Sequence, residues 1–371
     1  MADITYGSLE EFLGAEATYV ETCEIDTNKY VVIYGDPIAG KAVVCTVSGT
    51  VVTVGTPVEF STDIFLFEDF KVQLGVCKLD TDKFGIAFAD DTVGDRLHVT
   101  VGTVSGTTIT LGTKVDFGMR PYYLSCAPLG TDKMIINFDN RDAGSDPYGI
   151  AATISGTVPT PGASTATGIT SQGLRTKTTQ LGVDKFAFIL SDAVQSDVYV
   201  QVGTVSGTTI TFGTRVSIDP GSSTYMDIAK LDTDKFIAIY REFSTAELTT
   251  NICTVSGTTI TKGTSQGTSA VLGPLYPRLA VVDPTSFIVV YWIGAVLSSL
   301  LNTLSGTTTT FGTPEAIAIG ATAGKYSAAT LIDTEEIAVA TQATISTKKG
   351  ITIAGTMGAV ASSFIPSVKI L

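Results

Sequence analysis

Short apolar runs follow one another along the whole chain, separated by Gly, Ser, Thr and Asp, and no stretch keeps the 3.6-residue apolar period of an amphipathic helix. Two phrases alternate. One is KLDTDKFIAIY at Lys230, with relatives EIDTNKYVVIY (from Glu24), KLDTDKFGIAF (Lys78), PLGTDKMIINF (Pro128), QLGVDKFAFIL (Gln180), VVDPTSFIVVY (Val281) and LIDTEEIAVAT (Leu331). The other is TVSGTTITFGT at Thr204, nearly repeated at Thr103 and Thr254 and more loosely at Thr46, Thr153 and Thr303. Aligning the first phrase pairs Asp26, Asp80, Gly130, Gly182, Asp232, Asp283 and Asp333, at steps of 54, 50, 52, 50, 51 and 50 residues. Seven copies of one unit therefore span nearly the whole chain.

Each unit holds four strand signals. Strand a is a short apolar run ending at the aligned Asp or Gly. A DTDK-type turn leads into strand b, which is apolar at both parities, so both its faces must be covered. Strand c ends in TVS. Strand d, TTITFGT with the next few residues, alternates Thr with apolar residues and carries glycines, as suits a partly wet outer edge. Ser-Gly between c and d is a two-residue hairpin signal. Four antiparallel strands repeated seven times predict an all-β fold, a seven-bladed β-propeller of 1–371 as one domain, with blades beginning near 18, 70, 121, 173, 224, 275 and 325. A stacked solenoid is the runner-up, but it needs atypical end repeats.

The ends bear on closure. Residues 4–26 align without a gap to residues 210–232, so the chain begins with a d-type strand whose slot is the outside of the last blade. Residues 355–371 also align without a gap to residues 203–219, with Val368 and Ile370 matching Val216 and Ile218. The better-preserved N-terminal phrase is expected to close the ring through residues 4–12. The C-terminal tail then remains as a fifth strand or a contact with another chain.

Composition narrows the function. Charged residues are only 16% of the chain and the formal net charge is −13. That argues against nucleic acid, which needs a basic footprint, and against an anionic membrane surface. MADITYGSLEEF lacks the basic and apolar regions of a secretory signal, and no apolar run is long enough for a membrane helix. Cys23, Cys45, Cys77, Cys126 and Cys253 have no CxxC spacing and an odd count, which fits free buried thiols.

Candidate chemistry concentrates in the parts that do not repeat. The b–c loops differ in every unit (GDPIAGK, ADDTVGDR, DNRDAGSDPYG, SDAVQSD, REFSTAEL, WIGAVLSS and TQATISTKKG), and variable loops on a rigid scaffold carry binding. Their face, shared with the d–a loops, is the candidate binding face. Seven residues before the aligned Asp or Gly a tyrosine recurs: Tyr19, Tyr123, Tyr225, Tyr276 and Tyr326. These rings either form a plate for a sugar or peptide near the channel mouth or pack between blades. Trp292, the one tryptophan, is read as a b–c loop residue, either a binding anchor or a plug. Asp139, Asp142 and Asp146 have oxygen-ligand spacing for Ca2+, the one cofactor considered, although Asp-rich turns commonly form without metal. The single histidine, His98, falls in a regular strand, and no nucleophile–base constellation stands out, so the expectation is no enzyme and no catalytic residue.

The paired phrases LDTDKFIAIY and TVSGTTITFGT resemble a repeat of uncharacterised β-propeller proteins of bacteriophages and marine bacteria, over about residues 4–371. The resemblance implies a virion component, a capsid decoration, fibre or tail-associated protein, localised to the particle. Its partners would be other virion proteins or a host cell-surface glycan, with homo-oligomeric or symmetric assembly open. A bacterial lectin-like or protein-binding propeller is the alternative, and a polysaccharide-acting enzyme the third reading.

Overall fold

The computed structural model describes residues 4–13, 17–36, 38–64, 74–169, 173–192, 197–221, 223, 225–319, 323–333, 336–344 and 348–357. Its strands form seven antiparallel sheets, one per repeat. Blade 4 shows the plan. Strand a (Gly173–Gly182) pairs with b (Lys185–Asp192), b with c (Asp197–Ser206), and c with an outer strand d in two pieces, Thr209–Phe212 and Val216–Asp219. The inner strands of the other blades are Thr18–Asp26, Leu74–Asp80, Pro121–Gly130, Met226–Asp232, Leu275–Asp283 and Ala323–Leu331. Each inner strand packs against that of the next blade, and the seventh against the first. The fold is a β-propeller of seven four-stranded blades around a closed axis.

Strand b is apolar at both parities because it is covered on both faces. Val31, Val32 and Ile33 of blade 1, and Ile237, Ala238 and Ile239 of blade 5, are all wholly buried. Among the largest buried rings, Phe84, Phe186, Phe236 and Phe287 stand at the head of this strand in blades 2, 4, 5 and 6. All five cysteines are free and buried.

The repeated phrase is explained by what its glycines touch. The Ser-Gly glycines Gly106, Gly156, Gly207 and Gly257 have φ of 61–62°, the left-handed conformation of a tight hairpin. The Phe-Gly-Thr glycine has a different task. It divides strand d, its N–H bonding back to strand c (Gly213 to Val202, 2.8 Å). It also lies against the hairpin of the next blade: a Cβ on Gly112 would come within 2.5 Å of Thr157, on Gly162 within 2.5 Å of Thr208, and on Gly213 within 2.6 Å of Thr258. Gly7 meets Thr50 in the same way, which carries the seam from blade 7 to blade 1.

Ring closure follows the N-terminal reading. Ile4–Tyr6 pairs with strand c of blade 7 (Lys348–Met357), with Ile4 opposite Met357 and Tyr6 opposite Gly355. Glu10–Leu13 continues that outer edge, with Glu10 opposite Thr352. Phe12 lies over Gly350 and contacts Tyr34 of blade 1 at a ring separation of 4.8 Å, so the first strand also joins the two blades. Residues 358–371, including Val368 and Ile370, lie outside the described residues.

A second set of links runs around the turn face. The DTDK aspartate takes the next backbone N–H (Asp26 from Thr27, 2.8 Å; Asp80 from Thr81, 2.8 Å), which is ordinary turn chemistry. The turn lysine reaches the turn acid of the following blade: Lys29 to Asp82 (3.1 Å), Lys83 to Asp132 (2.9 Å), Lys133 to Asp184 (2.6 Å) and Lys185 to Asp234 (3.2 Å). The motif is thus both a turn and a rung between blades.

Candidate functional site

The b–c loops gather at the end of the ring opposite the DTDK turns. Their acidic residues are largely engaged in holding the loops. Asp90 accepts from the N–H of Thr92 (3.0 Å), from Ser61 (3.2 Å) and from Lys114. Asn140 caps the next loop in the same position, its side chain accepting from the N–H of Asp142 (3.0 Å). Both loops contain a single 3-10 turn closed by a left-handed glycine, Gly94 and Gly144.

The three aspartates considered for a cation part ways. Asp142 is paired with Arg120, whose Nη2 lies 2.6 Å and Nε 2.7 Å from its Oδ1. Asp146 opens strand c opposite Asn140. Asp139 is buried at the end of strand b, and its Oδ2 has no hydrogen-bond partner among the described residues. Burial first, and then the charge of Asp146, raises its carboxyl well above the usual carboxylate range. Among the described residues no three His, Cys, Asp or Glu side chains are gathered as a metal site requires.

Trp292 is not a loop residue. It lies in strand b of blade 6 (Ser286–Ile293), is wholly buried, and its indole N–H donates to Thr341 of blade 7 (3.3 Å). The sequence placed it one step too far because the hairpin Trp292–Leu297 is itself apolar. His98 is buried in strand c of blade 2, with Nδ1 3.0 Å from the Arg96 carbonyl.

The recurring tyrosine marks a backbone device. Tyr19, Tyr123 and Tyr276 have φ of 50°, 48° and 51°, at the point where the a–b ladder slips register. Left-handed backbone is unfavourable for so bulky a residue and persists only where packing fixes it. All three rings are buried, and Tyr225 is half-buried. In blade 4 the slot holds Arg175 (φ 64°), whose guanidinium lies 5.2 Å from the Tyr225 ring and 5.4 Å from the Tyr276 ring. Tyr225 and Tyr276 meet edge to face at 5.5 Å. Tyr326 lies in strand a of blade 7, with its side chain outside the described residues.

Two residues further along strand a, the inner strands bring charge to the axis. Lys177 of blade 4 lies 2.5 Å from the carboxylate of Glu21 of blade 1, and Arg278 of blade 6 lies 3.2 Å from the same oxygen. Asp227 of blade 5 accepts from the N–H of Ile228 (3.0 Å) and of Leu279 (2.9 Å). Burial acts to raise Glu21, but Lys177 and Arg278 outweigh it and hold the carboxyl below its usual range. Burial raises Asp227 against the same two cations. Burial, with the Arg278 charge, lowers Lys177 although Glu21 opposes it.

These four residues line an axial cavity of about 150 Å³, together with Ser125 and Thr178. Towards the turn face it passes into a vestibule of about 420 Å³ lined by Cys23, Cys77 and Cys126 and bordered by the Lys78–Glu24 pair (2.8 Å). No single stretch of sequence marks this cluster, because its signal lies in a column of the repeat. Five residues before each aligned Asp or Gly stand Glu21, Gly75, Ser125, Lys177, Asp227, Arg278 and Ala328. Reading down that column finds the four charges.

The outer surface of the loop end is apolar in places. Nine large hydrophobic residues are exposed among those described, and six of them, Ile38, Val93, Phe243, Leu272, Ile293 and Val296, lie at this end. Phe243 is 72% exposed.

No protein-family model and no curated protein matches the chain. Among solved structures it is similar to a protein of unknown function from Dyadobacter fermentans, at 9% identity and a TM-score of 0.52, covering 96% of this chain and 98% of that one. It is similar to a prolyl endopeptidase at 13% identity and a TM-score of 0.53, covering 91% of this chain but only 47% of the enzyme. A fucose-specific lectin from Aleuria aurantia aligns over 77% of this chain and 94% of its own, at 12% identity and a TM-score of 0.49. At these identities the first two likenesses concern the fold alone.

Proposed function

We propose that the chain is a non-enzymatic binding module of a viral particle, a rigid seven-bladed ring that docks to a protein of that particle through its b–c loop face. The observation that carries this reading is the bias of exposed apolar side chains to that face, six of nine among the described residues. Exposed apolar surface rimmed by polar loops marks interaction sites. Five of the six are aliphatic, which suits a protein surface better than a sugar, whose rings stack on aromatics. The engaged acids of the loops and the buried His98 favour binding over turnover. The repeat phrases, through their resemblance to phage and marine bacterial propellers, supply the particle.

Phe243, an exposed aromatic on the same face, favours one second reading, a lectin-like propeller. Sedimentation with purified particles separates the two. The wild-type chain is expected to sediment with intact particles, and a chain carrying Ile38→Asp, Phe243→Asp and Val296→Asp is expected to stay in the supernatant with its melting temperature unchanged. A chain that never sediments with particles but binds a glycan array, and loses that binding with Phe243→Asp, would replace the virion reading with the lectin one.

A further inference from the structure

The chain is acidic as a whole, yet cations converge on its axis. Arg175, Lys177 and Arg278 all line one narrow stretch of channel. The charges facing them are Glu21 and Asp227, with the phenol rings of Tyr225 and Tyr276 beside Arg175. Of the Arg278 donors, Nη1 reaches the Pro277 carbonyl (3.4 Å) and Nη2 reaches Glu21 (3.2 Å). Arg278 is buried, and its Nε has no hydrogen-bond partner among the described residues. A Lys ammonium offers three donors, and here one is directed at Glu21. Ser125 Oγ already accepts the N–H of Thr178 (3.0 Å), which leaves its proton to donate. A buried donor without an acceptor is costly, and a group bringing acceptor oxygens removes that cost.

The space has a matching size. About 150 Å³ is several times the room one water needs. It is below the several hundred Å³ typical of larger ligands. The vestibule of about 420 Å³ gives a route from the turn face and shares Thr22, Thr178 and Ala329 with the cavity. We infer that the axial cavity is a binding site for one small oxyanion (a carboxylate, sulfate or phosphate), held by Lys177, Arg278 and the Ser125 hydroxyl and admitted from the turn face. Its entry opens on the turn face, opposite the loop face proposed for docking.

Calorimetric titration of the full chain with sodium acetate, sodium sulfate and sodium phosphate in turn, at an ionic strength fixed with sodium chloride, tests it. At least one anion is expected to bind with one-to-one stoichiometry. Lys177→Met is expected to weaken that binding tenfold or more. Ala329→Leu, which keeps every charged group and puts added side-chain volume into the cavity lining, is expected to weaken it comparably. Its result stands even where Lys177→Met fails to fold. Absence of stoichiometric binding of all three anions to the wild-type chain overturns the inference. So does unchanged affinity in Ala329→Leu, or in a folded Lys177→Met.

Discussion

The ammonium of Lys177, on the fourth blade, meets the carboxylate of Glu21, on the first, at 2.5 Å across the axis of the ring. Neither residue has a neighbour in sequence that explains it. Both stand in a repeat column that otherwise holds Gly75, Ser125, Asp227, Arg278 and Ala328, and the pair exists only because seven inner strands face one another.

Breaking that pair from the acid side removes the carboxylate that both Lys177 and Arg278 contact. Glu21→Gln is expected to cost about 3 kcal/mol of unfolding free energy, the range for removing one partner of a buried ion pair. Urea denaturation at neutral pH measures it. The wild-type Glu21 carboxyl is held below its usual range, so its contribution is present above the unfolded-state value near ~4.3 and fades as pH falls through the lower native value. The gap between wild type and Glu21→Gln should therefore narrow in acid.

Asp139 predicts the opposite trend. Its buried carboxyl keeps its proton well above the usual range, while the unfolded chain ionises it near ~3.9. The native state then holds the extra proton, and stability falls as pH rises above that value. Asp139→Asn should be more stable than wild type at pH 7 by at least about 1 kcal/mol, with the advantage disappearing near pH 3. Equal pH–stability curves for the two proteins would rule this out.

The two kinds of glycine in the repeated phrase should respond differently to one methyl group. Gly207→Ala meets open space and bears only left-handed strain, expected to cost about 1 kcal/mol. Gly213→Ala drives a Cβ to 2.6 Å from the Thr258 carbonyl of the next blade, against backbone that cannot swing away. Its cost should exceed that of Gly207→Ala by about 1 kcal/mol or more, as overpacking does. Thermal unfolding of the two single variants decides the order.

Phe12 should be the main anchor of the closing strand. It is buried, rests over Gly350 and touches Tyr34 of the neighbouring blade. Phe12→Ala is expected to cost about 3 kcal/mol, as for other buried aromatic truncations. Deleting residues 1–13 should do more, because it strips the partner from Lys348–Met357 and exposes an edge strand that recruits other chains. Light scattering after size exclusion should then show oligomers where the full chain shows none of that origin.

Most of the architecture was legible because it is periodic. The aligned Asp or Gly gave the blade count, the doubly apolar strand b gave its burial, and the phrase at Ile4 gave the closing strand. Trp292 was misplaced because an apolar hairpin hides where strand b ends. The left-handed backbone at Tyr19, Tyr123 and Tyr276 was invisible, since no residue type demands it there. The lysine rungs on the turn face were half-read: the turn itself follows from local hydrogen bonding, but Lys83 and Asp132 meet only once blades are neighbours. The axial charges were least legible, because Glu21, Lys177, Asp227 and Arg278 each break the repeat in a different copy.

The strand that completes the seventh blade precedes the first blade in the chain, and its partner, Lys348–Met357, follows the first six blades. The ring cannot be sealed until Lys348–Met357 has been made. Through that interval Ile4, Tyr6 and Phe12 must wait without their sheet. Glu10 and Glu11 beside Phe12 give this segment two negative charges, and Glu11 meets Lys349 at 2.5 Å once the strand is in place.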